Sequence, residues 1–438
     1  MTSTLIRARL LSFLSEPQSA TDDTSYLYEE DGAVLVENGT IRAAGSYADI
    51  AGTAGSSMET IDHRPHLLLP GFIDAHAHFP QMQVIASFGA ELLDWLNTYT
   101  FPAESEFGDA VHAARIAGCF LDELVRHGTT SAAVYCTVHP ASADAFFAEA
   151  AKRNMCMIAG KMMMDRNAPA ALTDTARTGY DETKRLIAKW HAKGRLRYAV
   201  TPRFAITSSL EQMEAAGSLM AEHPGLHMQT HLSENRAEVA LARELFPDRA
   251  DYAGIYERYG LLGNKSLFGH CIHLSERETD ALADSGSVAV FCPTSNLFLG
   301  SGLFGYQRFR RRDKPLRIAT ATDIGGGTNY SMLRTMDEGY KVVALQGEKL
   351  NPLLSFWQIT RGNAEALSLS GRIGTLEPGT DADLVVLNSS ATPAMRLRME
   401  RAESLQEELF VLQTLGDDRA VVETFVAGKR MKSALPPV

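Results

Sequence analysis

The sequence predicts an α/β protein: a (β/α)8 TIM-type barrel with a small β-sandwich domain formed from both chain ends. Three observations predict it. Between about residues 70 and 325, eight short apolar runs alternate with helical patterns. The residues before and after that region are β-rich. Polar residues able to do chemistry gather at one end of their runs. The expected limits are 1–69 and 376–438 for the two parts of the sandwich, and 70–375 for the barrel.

The N-terminal block contains GAVLVENGTIRAAG, two apolar runs joined at Asn38-Gly39, which is a hairpin signal. The candidate barrel strands follow as FIDAHAH, TTSAAVY, MCMIAGKMM, RLRYAVTPRF, LHMQTHL, SLFGHC, SVAVFCPTS and RIATATD. Helical stretches such as DAVHAARIAGCFLDELVRHG and SERETDALADSG lie between them, and several end in glycine as helix C-termini do. Strand–helix alternation implies parallel pairing through crossovers. An open doubly wound sheet is the alternative, but it lacks a single mouth on which all the strand ends converge. Helices are expected at about 331–346 and 353–369. The pattern then returns to β in RIGTLEPGTDADLVVLN and in VVETFVAGKRM, a hairpin-like pair around Ala427-Gly428. The charged segment MRLRMERAESLQEELF reads as a solvated helical cover for the sandwich.

Composition narrows the class of function. Apolar residues are 45% and charged residues 22% of 438, as in an ordinary globular enzyme. The net charge of −11 argues against nucleic acid or an anionic membrane as the main partner. The basic cluster Arg308, Arg310, Arg311, Arg312 and Lys314 is local and reads as a solvated helix end. No apolar run approaches the ~20 residues of a membrane helix. Arginines interrupt MTSTLIRARLLSFL, which lacks the apolar core of a signal peptide. Five cysteines without a C-x-x-C pair point to buried reduced thiols and a cytoplasmic location.

The most informative stretch is PGFIDAHAHFPQ, residues 70–81. Strand side chains alternate faces, so His76 and His78 project from the same face. Alone, the pair suits a shared metal ion or two ordinary half-buried histidines equally well. The other strand ends decide between them. They carry Arg203 and Phe204, His231 followed by Glu234, His270, and Asp323. His112, His191 and His223 fall in helical stretches instead. Four histidines and an aspartate at one barrel mouth form a metal constellation, and nitrogen with carboxylate oxygen suits Zn2+ or Fe2+. Such a metal lowers the pKa of its water from ~15.7 to about 7, ready to attack an electron-poor carbon. Glu234 is sited to move a proton; its other reading is an acid capping the next helix.

PGFIDAHAHFPQ, THLSEN, GHC and the eighth-strand aspartate together resemble the amidohydrolase superfamily, and GTLEPGTDADLVVLN looks like the segment by which such chains leave the barrel. HAHFPQ, DWLNTYTFPAE, TPRF, HLSENRAEV and LGDD resemble the guanine deaminases over most of the chain. That resemblance implies one Zn2+ per chain on His76, His78, His231 and Asp323, with Fe2+ as the alternative. It implies that His270 orients the water, that Glu234 shuttles protons with help from Asp323, and that Gln81, Arg203 and Phe204 hold a purine base. It implies hydrolysis of guanine to xanthine and ammonia by a homodimer. Without the resemblance, Arg203 reads as a strand-end arginine paired with an acid, Gln81 as a loop amide and Phe204 as a core aromatic. Another amino-heterocycle (cytosine, adenine, oxidised guanine or a triazine) and a non-catalytic scaffold are the rival readings. Lys161 reads as ordinary or, as in some superfamily members, as a carboxylated bridge between two metals. Gly325 to Gly327 read as a tight turn that lets Asp323 face the metal, or as a phosphate-binding loop. His139, His273 and Trp95 lie near the site with no role that the sequence defines.

Overall fold

The computed structural model describes residues 3–52, 58–88 and 92–435. Contacts divide the chain into two compact units, Ala75–Leu121 with Ala132–Asn329, and Met1–Asp74 with Asp122–Ser131 and Tyr330–Val438. Helices Met332–Leu345 and Pro352–Trp357 pack on helix Leu405–Leu415, so they group with the chain ends in this division.

The eight expected strands are Phe72–His78, Thr129–Tyr135, Cys156–Gly160, Arg197–Pro202, His227–Leu232, Ser266–His270, Val288–Phe291 and Arg317–Thr320. They neighbour one another in sequence order, and the ladders from the third strand onward are parallel. Most are buried along their whole length, which is why they read as continuous apolar runs rather than alternating ones. The third strand breaks at Lys161 and resumes as Met162–Met163. The seventh stops at Phe291, short of the predicted CPTS, because Pro293 cannot donate to a ladder and instead opens helix Pro293–Phe298. The barrel closes at its carboxyl rim. The Asp323 N–H donates to the His76 carbonyl at 2.9 Å, and the His78 N–H donates to the Ile324 carbonyl at 3.1 Å. Helix Glu276–Ser285 shows how the connections are punctuated: Ser275 and Glu278 form a capping box, and Gly286 ends it in a left-handed conformation (φ 71°).

The strands from the two chain ends join in one seven-stranded mixed sheet. Its order is Lys429–Arg430, Val421–Val426, Leu384–Leu387, Glu59–Pro70, Ser3–Phe13, Tyr26–Glu37 and Thr40–Ser46. Both predicted hairpin turns are present, with positive φ at Asn38 and Gly39 (52° and 84°) and at Ala427 and Gly428 (45° and 76°). Ile6, Leu10, Val34, Leu68, Val386 and Phe425 join in a single buried cluster. The segment 395–410 departs from the expected solvated cover. It lies in helices Pro393–Met399 and Leu405–Leu415, where Leu409 and Leu412 are buried and Phe410 meets the edge of the Tyr340 ring at 5.1 Å. The spacing of those apolar residues gives the second helix a packing face.

The cysteines are free; four are buried and Cys119 is exposed. Among the described residues no helix is long and apolar enough to cross a membrane. The basic cluster lies against the acidic helix Glu276–Ser285: Arg308 and Arg312 pair with Glu276, Arg312 with Asp280, and Lys314 with Asp284.

Candidate metal centre and active site

At the carboxyl mouth of the barrel three ring nitrogens and a carboxylate converge. The Nε2 atoms of His76 and His78 are 3.1 Å apart, and those of His78 and His231 are 3.2 Å apart. Asp323 Oδ1 lies 3.2 Å from His76 Nε2 and 3.4 Å from His78 Nε2. A tetrahedral ion with arms of about 2.0–2.1 Å would set its ligands about 3.3 Å apart, and the observed separations match that spacing. The residues therefore fit a metal ion. Without one, several lone pairs would face each other in a buried space.

The electronic state of these groups suits the same purpose. Burial depresses His78 to about 4, and it holds His231 well below the usual imidazole value. Neutral rings keep lone pairs available for a metal. The Nδ1–H of His231 donates to the Arg203 carbonyl at 2.7 Å, which turns Nε2 toward the centre. Burial alone would raise Asp323. The imidazoles of His76 and His78 packed against it outweigh burial and hold this carboxylate well below its ordinary value.

His270 differs from the other three histidines. The amide of Asn296 donates to its Nδ1 at 2.8 Å, so the ring carries its proton on Nε2. That Nε2 faces Glu234 Oε2 at 3.3 Å and Asp323 Oδ2 at 3.9 Å. Glu234 is buried, and Ser301 Oγ donates to its Oε1 at 3.1 Å. It does not cap the helix that follows: Asn235 is the N-cap, and Glu238 completes the capping box. Burial, with the charges of Glu238 and Asp323, pushes the Glu234 carboxyl well above its ordinary value. Such a group accepts a proton readily near neutral pH.

Local backbone brings these groups together. Ser233, His270, Cys271 and Asp323 all have left-handed φ, between 50° and 72°. Non-glycine residues held there cost roughly 1–3 kcal/mol each and cluster at working sites. Gly325 to Gly327 form the tight turn expected of them. The Gly327 N–H donates to the Asp323 carbonyl at 2.6 Å and the Gly325 N–H to the Gly327 carbonyl at 3.2 Å, so two amides a phosphate would need are already bonded. A Cβ on Gly325 would come within 2.0 Å of Gln81 Oε1. The run is thus a close-packing device.

Gln81, Arg203 and Phe204 border the same cavity as His78, Glu234 and His270. Trp95 also lines it. His273 stands further off, with Nε2 3.0 Å from the Ser301 carbonyl, so it holds the loop that carries Ser301. Lys161 is fully buried. It donates to Asp174 at 2.5 Å and to the Met162 carbonyl at 3.2 Å, and it belongs to neither metal-binding group at the mouth. A bridging role for it has no geometric support.

Several residues escaped the sequence reading. Glu104 accepts from both Gln81 and Arg203. It ends the motif DWLNTYTFPAE, a signal that carried no role. Tyr135 stacks on His78 with ring centres 4.5 Å apart and lies 4.6 Å from His76. Its place at the end of the second strand would have flagged it by the same rule that found the histidines. Asn296 and Ser301 come from stretches with no distinguishing pattern.

A parallel eight-stranded barrel with a histidine–aspartate cluster at its carboxyl mouth is an architecture of metal-dependent hydrolases. The amidohydrolase family model matches residues 67–431, and the chain belongs to this metal-dependent family. It is 45% identical to the guanine deaminase of Escherichia coli (strain K12) over 400 residues, covering 91% of each chain. The solved structure of E. coli guanine deaminase superimposes with a TM-score of 0.94 at 42% identity, over 98% of this chain and 99% of that one. The guanine deaminase of C. acetobutylicum, solved with guanine in its active site, gives a TM-score of 0.87 at 29% identity, over 98% and 100%.

Proposed function

We propose that the protein is a guanine deaminase, converting guanine and water to xanthine and ammonia. The observation that carries this reading is the cavity itself. The histidine–aspartate centre, a buried acid and the polar pair Gln81 and Arg203 all face one small space. The similarity to guanine deaminases along nearly the whole chain supports the choice of substrate.

His76, His78, His231 and Asp323 would hold one ion per chain. When bound, it supplies Lewis acidity and lowers the pKa of a water to about 7. We infer Zn2+ from the nitrogen and carboxylate donors and their tetrahedral spacing, with Fe2+ as the alternative. Glu234 takes a proton from the attacking water as its oxygen bonds to the carbon bearing the exocyclic amine, and delivers that proton to the adjacent ring nitrogen. His270, fixed as an Nε2–H donor by Asn296, orients the water together with Asp323. The second water proton reaches the amine nitrogen, the C–N bond breaks, ammonia leaves and a carbonyl remains. Arg203 and Gln81 hydrogen-bond the purine edge and Phe204 packs on its ring. The family resemblance supports a homodimer, and the buried free thiols support a cytoplasmic setting.

The test is ammonia release from guanine, adenine, cytosine, oxidised guanine and a triazine, with metal content measured on the same protein. Guanine is expected to be strongly preferred at one ion per chain. Preference for another ring would overturn the substrate, and no turnover by metal-loaded protein would favour a non-catalytic scaffold.

A further inference from the structure

We infer that Glu104 fixes the donor–acceptor order of the substrate pocket, and so selects a ring edge on which a carbonyl stands beside a ring N–H. The inference rests on the guanine reading of this cavity. Glu104 lies in helix Phe101–Ser105 with 0% exposure, one shell away from the cavity lining. Its Oε1 accepts from Gln81 Nε2 at 2.9 Å, and its Oε2 accepts from Arg203 Nη1 at 2.7 Å.

The consequence follows from what a carboxylate can do. It accepts hydrogen bonds and donates none. The two ends of a glutamine amide have nearly the same shape, so shape alone does not orient Gln81. Facing Glu104, it must present Nε2. Its Oε1 is then turned away, against the bare Cα of Gly325, and has no partner among the described residues. Arg203 is fixed in the same way. Nη1 is committed to Glu104 and Met162 Sδ, and the guanidinium sits over the Phe101 ring at 5.4 Å, which leaves Nε and Nη2 as donors without a partner among the described residues. The cavity therefore offers an acceptor from Gln81 and donors from Arg203. A lactam edge, with C=O next to N–H, meets that pattern. An amidine edge, with an amino group next to a bare ring nitrogen, presents the reverse order and leaves polar groups unmatched on both sides. The Glu104–Arg203 pair also leaves no net charge in this wall, which suits a neutral base better than a nucleotide.

Guanine and 2,6-diaminopurine separate the two edges, because they share the 2-amino group and differ at position 6. In Glu104→Gln the new amide can accept or donate, so Gln81 is free to flip, and Arg203 loses its anion. The KM for guanine is expected to rise ten-fold or more, with kcat within about three-fold of native and metal content unchanged. The inhibition constant of 2,6-diaminopurine is expected to hold or fall. If guanine and 2,6-diaminopurine weaken by the same factor, Glu104 is only a structural prop and the inference is overturned. Should Glu104→Gln fail to fold, Gln81→Ala carries the test. It should weaken guanine alone, and equal weakening of both ligands again overturns the inference. Native protein that is metal-loaded yet inert toward guanine would instead sink the functional reading.

Discussion

In the proposed reaction Glu234 moves the proton, and its surroundings suit a carboxyl group to that role. It is buried, it faces the Nε2–H of His270, and Ser301 holds its other oxygen. Replacing it by glutamine keeps the shape and the contact with Ser301 but removes the base. Glu234→Gln is expected to lower kcat for guanine by roughly 10²- to 10⁴-fold, with metal content and KM little changed; steady-state kinetics beside metal analysis check it. A variant with native turnover would remove Glu234 from the proton path. The position of this residue was legible from THLSEN, because the period of the strand and the three-residue offset from His231 place it at the mouth. Ser301, which bonds it, and Asn296, which bonds His270, were not legible, since both reach the site through tertiary packing. Glu104 was hidden for the same reason: its partners stand 23 and 99 residues away in sequence.

Strands and turns carry the next level of control. Four of the predicted strands, at 72–78, 129–135, 227–232 and 266–270, match the structure to within a residue or so. Burial on both faces makes such runs conspicuous. The seventh ended early, because apolar character continues through Cys292 while Pro293 already commits the backbone to a helix. The glycine turn after Asp323 was read correctly in outline, but its second duty toward Gln81 depends on a contact between the two ends of the barrel. Gly325 has φ 126°, and any Cβ there would collide with Gln81 Oε1. Gly325→Ala should therefore raise the KM for guanine several-fold while the metal is retained, and it should lower thermal stability. Unchanged KM would mean that Gln81 does not touch the substrate through that amide.

For the whole molecule, the buried neutral histidines set a pH dependence. The folded-state values of His78 and His270 are depressed to about 4 and about 3, in both cases mainly by burial. Unfolded histidines take up protons near pH 6.5, and these two do not while the protein is folded. Their contribution is complete above about pH 6.5 and is lost as pH falls from there toward the folded-state values. The depressed carboxylate of Asp323 acts in the same direction below about pH 3.8. The metal-free protein should thus lose stability between pH 7 and 5, with a slope that steepens toward about 1.4 kcal/mol per pH unit for each such histidine. Metal should delay that loss, because the ion competes with protons for the same lone pairs. Denaturant melts at several pH values, with and without chelator, measure both effects; a flat profile without metal would contradict the buried neutral state. The rim where the first and eighth strands meet adds a consequence for how the enzyme is made. The backbone bonds that close the barrel run between His76 or His78 and the residues at Asp323. A ribosome therefore releases the first two ligands long before the last. Until the eighth strand arrives, the nascent chain offers the three histidines His76, His78 and His231 without Asp323, and the proposed metal site waits for the finished ring. On the proposed ligand set, loading with metal would thereby mark completed synthesis.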